Sequence, residues 1–240
     1  MKVLAFNIWG DYAHFRKFYT TSSPLTFSFP PPSTIAGILG AIYGAGKEEY
    51  LDIFSSQRCH IAIKIINPVK KIRMGINLIN TKGNFWIPYG NQYHEPRTQI
   101  RTEFVKEPSY MVYVNHQDPK IFDTLCKNIK EHKSFYTVSL GLSELLADFE
   151  YAGIYNSEET LSNDELTELC TPVIITNLIS DGLGIEEGKK YFKEKMPIIM
   201  NQKRIVGKYD DVIFEPEGNT IKARVKTYHK LENGENIVFF

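Results

Sequence analysis

The chain has 240 residues, of which 42% are apolar and 23% charged, a composition typical of a globular protein and not of a disordered segment. Lysine plus arginine equals aspartate plus glutamate at 28 each, and the resulting net charge of zero by itself argues against a nucleic-acid partner. No apolar run reaches the roughly 18 residues that span a bilayer, and the stretch 3–9 lacks a signal-peptide cleavage pattern, so we expect a cytoplasmic protein with no membrane contact.

The zero total hides a strongly uneven distribution of charge. Residues 58–106 carry nine basic and two acidic side chains, a local charge of +7. Residues 134–188 carry eleven acidic side chains and no lysine or arginine, and residues 189–230 have a local charge of +6. Because the potential near a surface follows local clusters, two basic zones remain compatible with an RNA partner. The alternative is that these clusters are ordinary solvent-exposed surfaces of mixed charge with no RNA partner.

Cysteine and histidine give no sign of a metal site or a cofactor. The three cysteines are far apart and form no Cys-x-x-Cys pair, so we expect them to be buried apolar side chains; they are Cys59, Cys126 and Cys170. The six histidines are scattered, without the paired spacing of zinc ligands. The prediction is therefore no metal and no cofactor.

The first predicted elements are a strand and a helix separated by a long loop. Residues 3–9 are nearly all apolar, as in a strand covered on both faces, and the loop 11–29 follows. Three prolines and Ser33 then predict a helix start with Ser33 as the capping side chain, and the helix itself at 34–43. The Gly37-x-x-Gly40 spacing inside this helix favours close packing over phosphate binding.

A hairpin and an insertion follow. Alternating apolar residues predict strands at 59–66 and 72–78, joined by a turn at 67–71, with Arg73 on the polar face of the second strand. Residues 81–108 show no steady period and are rich in glycine, aromatic residues and arginine, which predicts an inserted, partly ordered β-arm. A further strand is predicted at 110–114.

A second helix and a closing strand complete the first half. Asp118 followed by Pro119 is a strong helix start, and an amphipathic stripe follows to Ile129. With a closing strand at 136–140, the order of elements predicts an α+β fold: a ferredoxin-like, RNA-recognition-motif-like (RRM-like) domain over residues 1–140 with the arm at 81–108. Residues 141–240 are predicted to form a small β-rich domain, with an acidic helix at 158–169, strands at 197–206 and 211–227, and a hairpin turn at 217–219.

Three groups of residues are candidates for RNA contact. The arm offers guanidinium groups for phosphates and aromatic rings for unstacked bases, and Arg73 leads into it; its candidates are Phe85, Trp86, Tyr89, Tyr93, Arg97, Arg101 and Phe104. The second group combines Arg16 and Lys17 with the helix start at Ser33 and Thr34, where unpaired N–H groups attract phosphate. The third is Lys203 and Arg204, with a strand on which cations alternate: Lys222, Arg224 and Lys226. Two alternatives stay open. The arm could pack on a protein instead of RNA, and the cationic strand could simply be half-exposed with a polar outer face.

Several of these segments resemble the CRISPR-associated "Cas five" family of repeat-associated RNA-binding proteins. The resemblance is specific over residues 1–150 and diffuse afterwards, and it points most closely to the I-B (Hmari) branch. It rests on four motifs: Ala13-x-Phe15-Arg16, Pro31-Pro32-Ser33-Thr34-Ile35-x-Gly37-x-Leu39-Gly40, Arg97-Thr98-Gln99 through Glu103 with Pro108-x-Tyr110-x-Val112-Tyr113, and Leu140-Gly141-Leu142-Ser143-Glu144.

The resemblance implies a non-catalytic role in a guide-RNA complex. Family members hold the 5′ handle of the CRISPR RNA, cap one end of the Cascade complex, and contact a "Cas seven"-type backbone subunit and the large subunit. By the same resemblance, the acidic stretch 134–188 becomes a candidate for one of these protein contacts, because it would repel RNA.

Two other functions remain open at this point. One branch of the family cleaves precursor RNA without metal through a tyrosine, a lysine and a histidine; here Tyr43 and His116 match, but position 115 is asparagine where that branch has lysine. General acid–base catalysis requires precise placement, so the missing lysine favours holding RNA over cutting it. The other is a ferredoxin-like metabolic enzyme, for which the sequence supplies no catalytic constellation.

Overall fold

The computed structural model describes residues 1–20, 23–79, 97–161 and 165–240, and the fold is mixed and mostly β. The helices are α1 (Pro32–Tyr43), α2 (Tyr50–Ile53) and α3 (Pro119–Lys130), with a 3-10 helix at Ile175–Asn177. The strands are β1 (Lys2–Trp9), β2 (Tyr12–Ala13), β3 (Cys59–Ile65), β4 (Lys70–Ile79), β5 (Arg97–Lys106), β6 (Ser109–His116), β7 (Asp148–Leu161), β8 (Thr167–Leu169), β9 (Val173–Ile174), β10 (Leu178–Gly184), β11 (Phe192–Met200), β12 (Val206–Phe214), β13 (Ile221–Val225), β14 (Thr227–Leu231) and β15 (Asn236–Ile237). Within these described ranges, no helix combines the length and apolar character needed to cross a bilayer.

The central feature is a curled six-stranded sheet with the strand order β15-β14-β7-β1-β6-β3. Every neighbouring pair in it is antiparallel. Strand β1 lies between β6 and β7, and Leu4 is paired with Val114 on one side and with Ile154 on the other. Helices α1 and α3 connect β1 to β3 and β6 to β7 in the chain order.

Strand β1 is covered on both faces, as its continuous apolar sequence predicts. Leu4, Phe6 and Ile8 point into the core that includes α1 and α3. Val3 and Ala5 point to the opposite face, where they pack with Tyr113, Leu231 and Ile237. Alternate residues of a strand face opposite ways, so an all-apolar strand requires cover on both sides.

The two long helices begin in different ways. Helix α3 starts as predicted: the side chain of Asp118 accepts a hydrogen bond from the backbone N–H of Lys120 at 2.8 Å, and Pro119 is the first helical residue. The predicted capping role of Ser33 is wrong. Helix α1 begins earlier, at Pro32, and its N-cap Pro31 makes no side-chain capping bond. Proline at the first helical position already supplies helical φ without needing an N–H partner, so the helix starts before the serine.

The predicted hairpin of strands 59–66 and 72–78 is wrong in its pairing. Strand β3 pairs with β6 at the edge of the six-stranded sheet. Strand β4 leaves that sheet and pairs along its whole length with β5, and β5 also pairs with the short strand β2. Alternation identified both strands correctly, but it carries no information on which partner each strand takes.

The predicted closing strand at 136–140 and helix at 158–169 are also wrong. The strand beside β1 is β7, and the 136–140 region contributes only the isolated bridge between Ser139 and Leu146. Strand β7 extends through the acidic residues, where Glu159 is opposite His229 of β14. Cross-strand pairing has therefore decided the conformation of this segment over its local helical preference.

Two three-stranded sheets follow, with the orders β11-β12-β9 and β10-β13-β8. The predicted turn at 217–219 exists, with Gly218 at a φ of 86°. It joins β12 to β13, which belong to different sheets, so the predicted hairpin across this turn is wrong. The hairpin of this region is β11–β12 instead, with an exposed tip at 201–205.

One continuous apolar core joins the early and late parts of the chain. Met196, Ile198 and Val212 of the β11–β12 hairpin belong to the same core as α1 and β1. The rings of Phe29 and Phe214 meet edge to face with centroids 5.2 Å apart. Strands β7, β14 and β15, which all follow residue 140, complete the sheet that β1 begins.

Candidate functional site

The β4–β5 hairpin has a polar face that presents three of the predicted arginines. In the register of this hairpin, Arg73 is opposite Glu103, Gly75 is opposite Arg101, and Ile79 is opposite Arg97. Residues opposite one another in an antiparallel pair share a face, and so do alternate residues of one strand. Arg73, Arg97 and Arg101 therefore lie on one face, and all three are exposed; we call them the arginine face.

Among the described residues of the hairpin, Glu103 is the acidic side chain on the same face as these arginines. Glu103 is 3.7 Å from Nε of Arg73 and 4.0 Å from Nζ of Lys71, so its charge is matched locally. Within the described ranges, Arg97 and Arg101 form no ion pair. Exposed guanidinium groups can bind phosphate through paired N–H donors.

The other face of the hairpin is apolar and anchors its base. Phe104 is buried and its ring contacts the rings of Tyr12 and His14, with centroids 6.4 and 5.6 Å away. Strand β2 pairs with the end of β5, where Tyr12 is opposite Lys106. These contacts fix the base of the hairpin to the main body of the protein, and they thereby set the orientation of its polar face. Of the predicted arm residues, Phe85, Trp86, Tyr89 and Tyr93 lie outside the described residues and stay predictions.

The loop before α1 joins the arginine face through Thr26. The backbone N–H of Thr26 donates to the Glu103 carboxylate at 3.3 Å, and Thr26 forms an isolated β-bridge with Arg16. Arg16 is exposed and donates to the carbonyl of Thr20 at 3.3 Å. Arg16 and Arg73 thus flank the same Thr26–Glu103 contact. This contact links two sites that were predicted separately from the sequence, and we call Arg16 and the arginine face together the basic surface.

Lys17 is held by a buried carboxylate that the sequence did not reveal. Its Nζ lies 3.1 Å from Glu194 on β11, and its side chain is only 12% exposed. Burial lowers the pKa of Lys17, but the ion pair raises it by more, so the pKa lies above the ordinary value of 10.5. Lys17 therefore fixes the loop beside the basic surface, and Arg16 is the exposed cation of the pair. Glu194 is 177 positions away in sequence, and no local pattern signals such a partner.

Ser33 and Lys203 line the same cavity, which has a volume of about 670 Å³. The cavity lies between the start of α1 and the tip of the β11–β12 hairpin, which also carries the exposed Arg204. Thr34 lines a neighbouring cavity of about 640 Å³. The structure thus brings together parts of the second and third predicted groups.

Lys222 and Arg224 of β13, and Lys226 directly after it, are bound within the protein. Nζ of Lys222 lies 3.0 Å from Glu186. Arg224 donates to the carbonyl of Asp181 at 2.8 Å, and Lys226 donates to the carbonyl of Thr176 at 2.7 Å. Their alternation is real, but each group already has a partner, so this strand offers less cationic surface than its sequence indicates.

His116 is a buried side chain with both ring nitrogens engaged. Its Nδ1 accepts the backbone N–H of Asp118 at 3.0 Å, and its Nε2 is 2.9 Å from the carbonyl of Ile53, to which it donates. The Phe54 ring contacts the rings of both Tyr43 and His116, with centroids 6.1 and 5.8 Å away. This arrangement ties β6, α2 and the start of α3 together, and it leaves no ring nitrogen available for proton transfer to a substrate. In the described ranges, no group of three metal-ligating side chains exists.

Comparisons with known proteins identify the family and related folds. Residues 3–207 match the family described as "CRISPR-associated protein (Cas_Cas5)". The fold resembles a "CRISPR RNA-guided surveillance complex" chain, with a TM-score of 0.54, 8% identity, and coverage of 98% of this chain and 93% of that one. It also resembles a CRISPR protein from Archaeoglobus fulgidus, with a TM-score of 0.53, 14% identity, and coverage of 98% and 97%. No curated protein matches the chain. Because the family match covers most of its length, the chain belongs to the CRISPR-associated Cas_Cas5 family.

Proposed function

We propose that the protein is a subunit of a CRISPR effector complex of the Cascade type, where it binds the 5′ handle of the CRISPR RNA and caps one end. Family membership supports the CRISPR setting. The observation that carries the RNA-binding role is the arginine face, which is exposed and is linked to the exposed Arg16 through Thr26 and Glu103. Clustered guanidinium groups on an exposed β-surface are suited to a phosphate backbone.

The strand order supports a finer proposal about architecture. The four strands β7-β1-β6-β3 are antiparallel, and α1 and α3 connect β1 to β3 and β6 to β7. We infer from this order a ferredoxin-like, RRM-like unit, with β4 and β5 as the inserted arm. Assignment to the I-B branch is likewise a proposal, and it rests on the motif at 140–144. In that motif Gly141 has a φ of 103° and lies against the backbone carbonyl of His14.

The remaining part of the proposal concerns protein partners. A backbone subunit of the "Cas seven" type and the large subunit of the complex are the partners that family membership suggests. The acidic stretch 134–188 is our candidate for one of these contacts. Crosslinking of the assembled complex is expected to join this stretch to protein subunits, and crosslinks to RNA would contradict that assignment.

The RNA-binding proposal is tested by removing two arginines. In Arg97→Ala/Arg101→Ala, we expect about tenfold weaker binding of a single-stranded 5′-handle RNA at low salt, because two phosphate contacts are lost. The slope of log affinity against log salt is expected to become shallower by about 1.4, since each contact on a single strand contributes about 0.7. Fluorescence anisotropy across a salt series measures both quantities.

The matched control is Lys120→Ala/Lys127→Ala, which removes the same charge from exposed positions of α3. Its affinity and salt slope are expected to stay close to those of the unmodified protein. Equal losses in the two double variants would show a general charge effect and would remove the support for the arginine face. An unchanged salt slope in the arginine variant would do the same.

A further inference from the structure

Three aromatic rings form an exposed cluster beside the basic surface. Phe18, Tyr19 and Tyr209 are 49%, 56% and 38% exposed. The ring centroids of Phe18 and Tyr19 are 5.0 Å apart and edge to face, and those of Phe18 and Tyr209 are 4.5 Å apart. Rings in mutual contact usually belong to a core, whereas this cluster leaves a large part of its apolar surface in solvent.

Two distant segments build the cluster, and both are held in place. Phe18 and Tyr19 follow Lys17, whose ion pair with Glu194 fixes the loop to β11. The hydroxyl of Thr20 donates to the carbonyl of Lys17 at 2.9 Å and closes the turn that carries the two rings. Tyr209 stands on β12, which pairs with β11. The rings are therefore positioned before any ligand arrives, which reduces the entropy lost on binding.

The charges around the cluster favour an anionic, aromatic ligand. Arg16 is exposed two residues before Phe18. Lys195 on β11 is exposed and, within the described ranges, forms no ion pair, whereas the nearby acids have partners: Asp210 binds Lys208 at 3.0 Å and Asp211 binds Lys193 at 3.4 Å. Aromatic faces flanked by available cations suit unpaired nucleotides, whose bases stack while their phosphates bind the cations.

We propose that Phe18, Tyr19 and Tyr209 form a stacking site for unpaired bases of the bound RNA, next to the phosphate-binding arginine face. This inference rests on the proposed RNA-binding function and adds a base-binding subsite to it. The exposed rings bind the base faces, Arg16 binds the adjoining phosphate, and Lys17, held by Glu194, positions the loop. Stacking tolerates any base, so the subsite contributes affinity more than sequence selection.

The test replaces the rings by leucine, which keeps apolar bulk and removes the stacking face. We expect Phe18→Leu/Tyr19→Leu/Tyr209→Leu to bind a single-stranded 5′-handle RNA at least tenfold more weakly. Its affinity for an abasic RNA of the same length and charge is expected to equal that of the unmodified protein. Anisotropy with the two labelled RNAs measures both, and thermal unfolding followed by circular dichroism checks that the variant is folded.

The matched control is Phe135→Leu/Tyr136→Leu, a pair of exposed rings in edge-to-face contact elsewhere, with centroids 4.8 Å apart. This control variant is expected to bind the 5′-handle RNA as tightly as the unmodified protein does. A folded ring variant that keeps full RNA affinity, while Arg97→Ala/Arg101→Ala still weakens it, would overturn the stacking site and leave the proposed function standing. Loss of co-purifying protein subunits with RNA affinity intact would instead identify a protein-binding surface and overturn the inference. An unmodified protein that binds neither RNA would overturn the inference and the proposed function together.

Discussion

At the residue scale, Glu194 is the side chain that organises the site. Its carboxylate accepts hydrogen bonds from Lys17, Lys71 and both the N–H and the hydroxyl of Ser28, at distances of 3.0 to 3.3 Å. Burial on its own would raise the pKa of Glu194, but the two ammonium groups and Ser28 outweigh it, and the pKa lies below its ordinary value of 4.5. One buried acid therefore joins the loop before α1, the base of the hairpin and β11.

Glu194→Gln is expected to lower the free energy of unfolding by about 3 kcal/mol, because it leaves two partly buried cations without their counter-charge. Urea unfolding followed by circular dichroism measures the change. Glu131→Gln is the control: that exposed carboxylate pairs with Lys133 at the surface, and little change is expected. A loss as small as that of the control would contradict the organising role of Glu194.

The loss of stability in Glu194→Gln is expected to depend on pH in a defined way. Because folding lowers the pKa of Glu194, its contribution is present above the unfolded value of about 4.5 and is lost as pH falls through the folded pKa. Because folding raises the pKa of Lys17, its contribution is full below about 10.5 and is lost as pH rises through the folded pKa. The stability difference between the unmodified protein and Glu194→Gln should thus persist from pH 5 to pH 10 and shrink on either side, in urea titrations across that range.

At this scale the sequence predicts residues whose partners are close in the chain. Asp118 caps α3 two residues ahead of the N–H that it binds, and the sequence identified it. Lys17 and the cations of β13 looked available because their partners are distant: Glu194, Glu186 and the carbonyls of Asp181 and Thr176. Whether a cation is available to a ligand depends on tertiary contacts, which local patterns do not contain.

At the scale of elements, strands are easier to predict than their partners. The apolar alternation located β3, β4 and β6, and yet β4 pairs with β5 instead of β3. Pairing depends on register and on the packing of distant side chains, so neighbours in sequence need not be neighbours in a sheet. The acidic end of β7 shows the same limit, because only its pairing with β14 makes it a strand.

The junction of β6, α2 and α3 depends on His116. In His116→Ala, the N–H of Asp118 and the carbonyl of Ile53 lose their partner inside the protein, so we expect the free energy of unfolding to fall by about 2 kcal/mol. Urea unfolding measures this change. The exposed Lys120 of α3 provides the control, and Lys120→Ala is expected to be nearly neutral.

The same variant addresses cleavage. We expect the unmodified protein to leave precursor repeat RNA intact in the presence of EDTA, since His116 has no nitrogen available to a substrate. Gel electrophoresis of labelled RNA decides the matter. A specific cut that disappears in His116→Ala would overturn the structural role and favour the endoribonuclease alternative.

At the scale of the whole molecule, the sheet and the core combine both halves of the chain. Strands β7, β14 and β15 share a sheet with β1, β3 and β6. The core that contains α1 also contains Met196 and Phe214. The sequence located the family motifs in the first 150 residues and the β-rich character of the rest, but it could not show that the two regions share a core.

A fragment of residues 1–140 is therefore expected not to fold alone. It would expose the β7 side of β1 and remove the cover that Val212 and Phe214 give to the core. We expect the full chain to unfold in one transition by calorimetry and the fragment to show poorly dispersed amide signals by NMR. A well-dispersed spectrum from the fragment would establish residues 1–140 as an independent domain.

The place of β1 between β6 and β7 sets the order in which the protein can fold during translation. Leu4 pairs with Ile154, which is synthesised about 150 residues later. At 5–20 residues per second, a ribosome needs on the order of 10–30 s to reach that residue. Until then one edge of the apolar strand is unpaired, so early folding relies on α1 and on the pairing of β1 with β6 at its other edge. Such long-range closure makes folding slow, and slower elongation near the codons of β7 would lengthen the interval in which a chaperone has to hold β1.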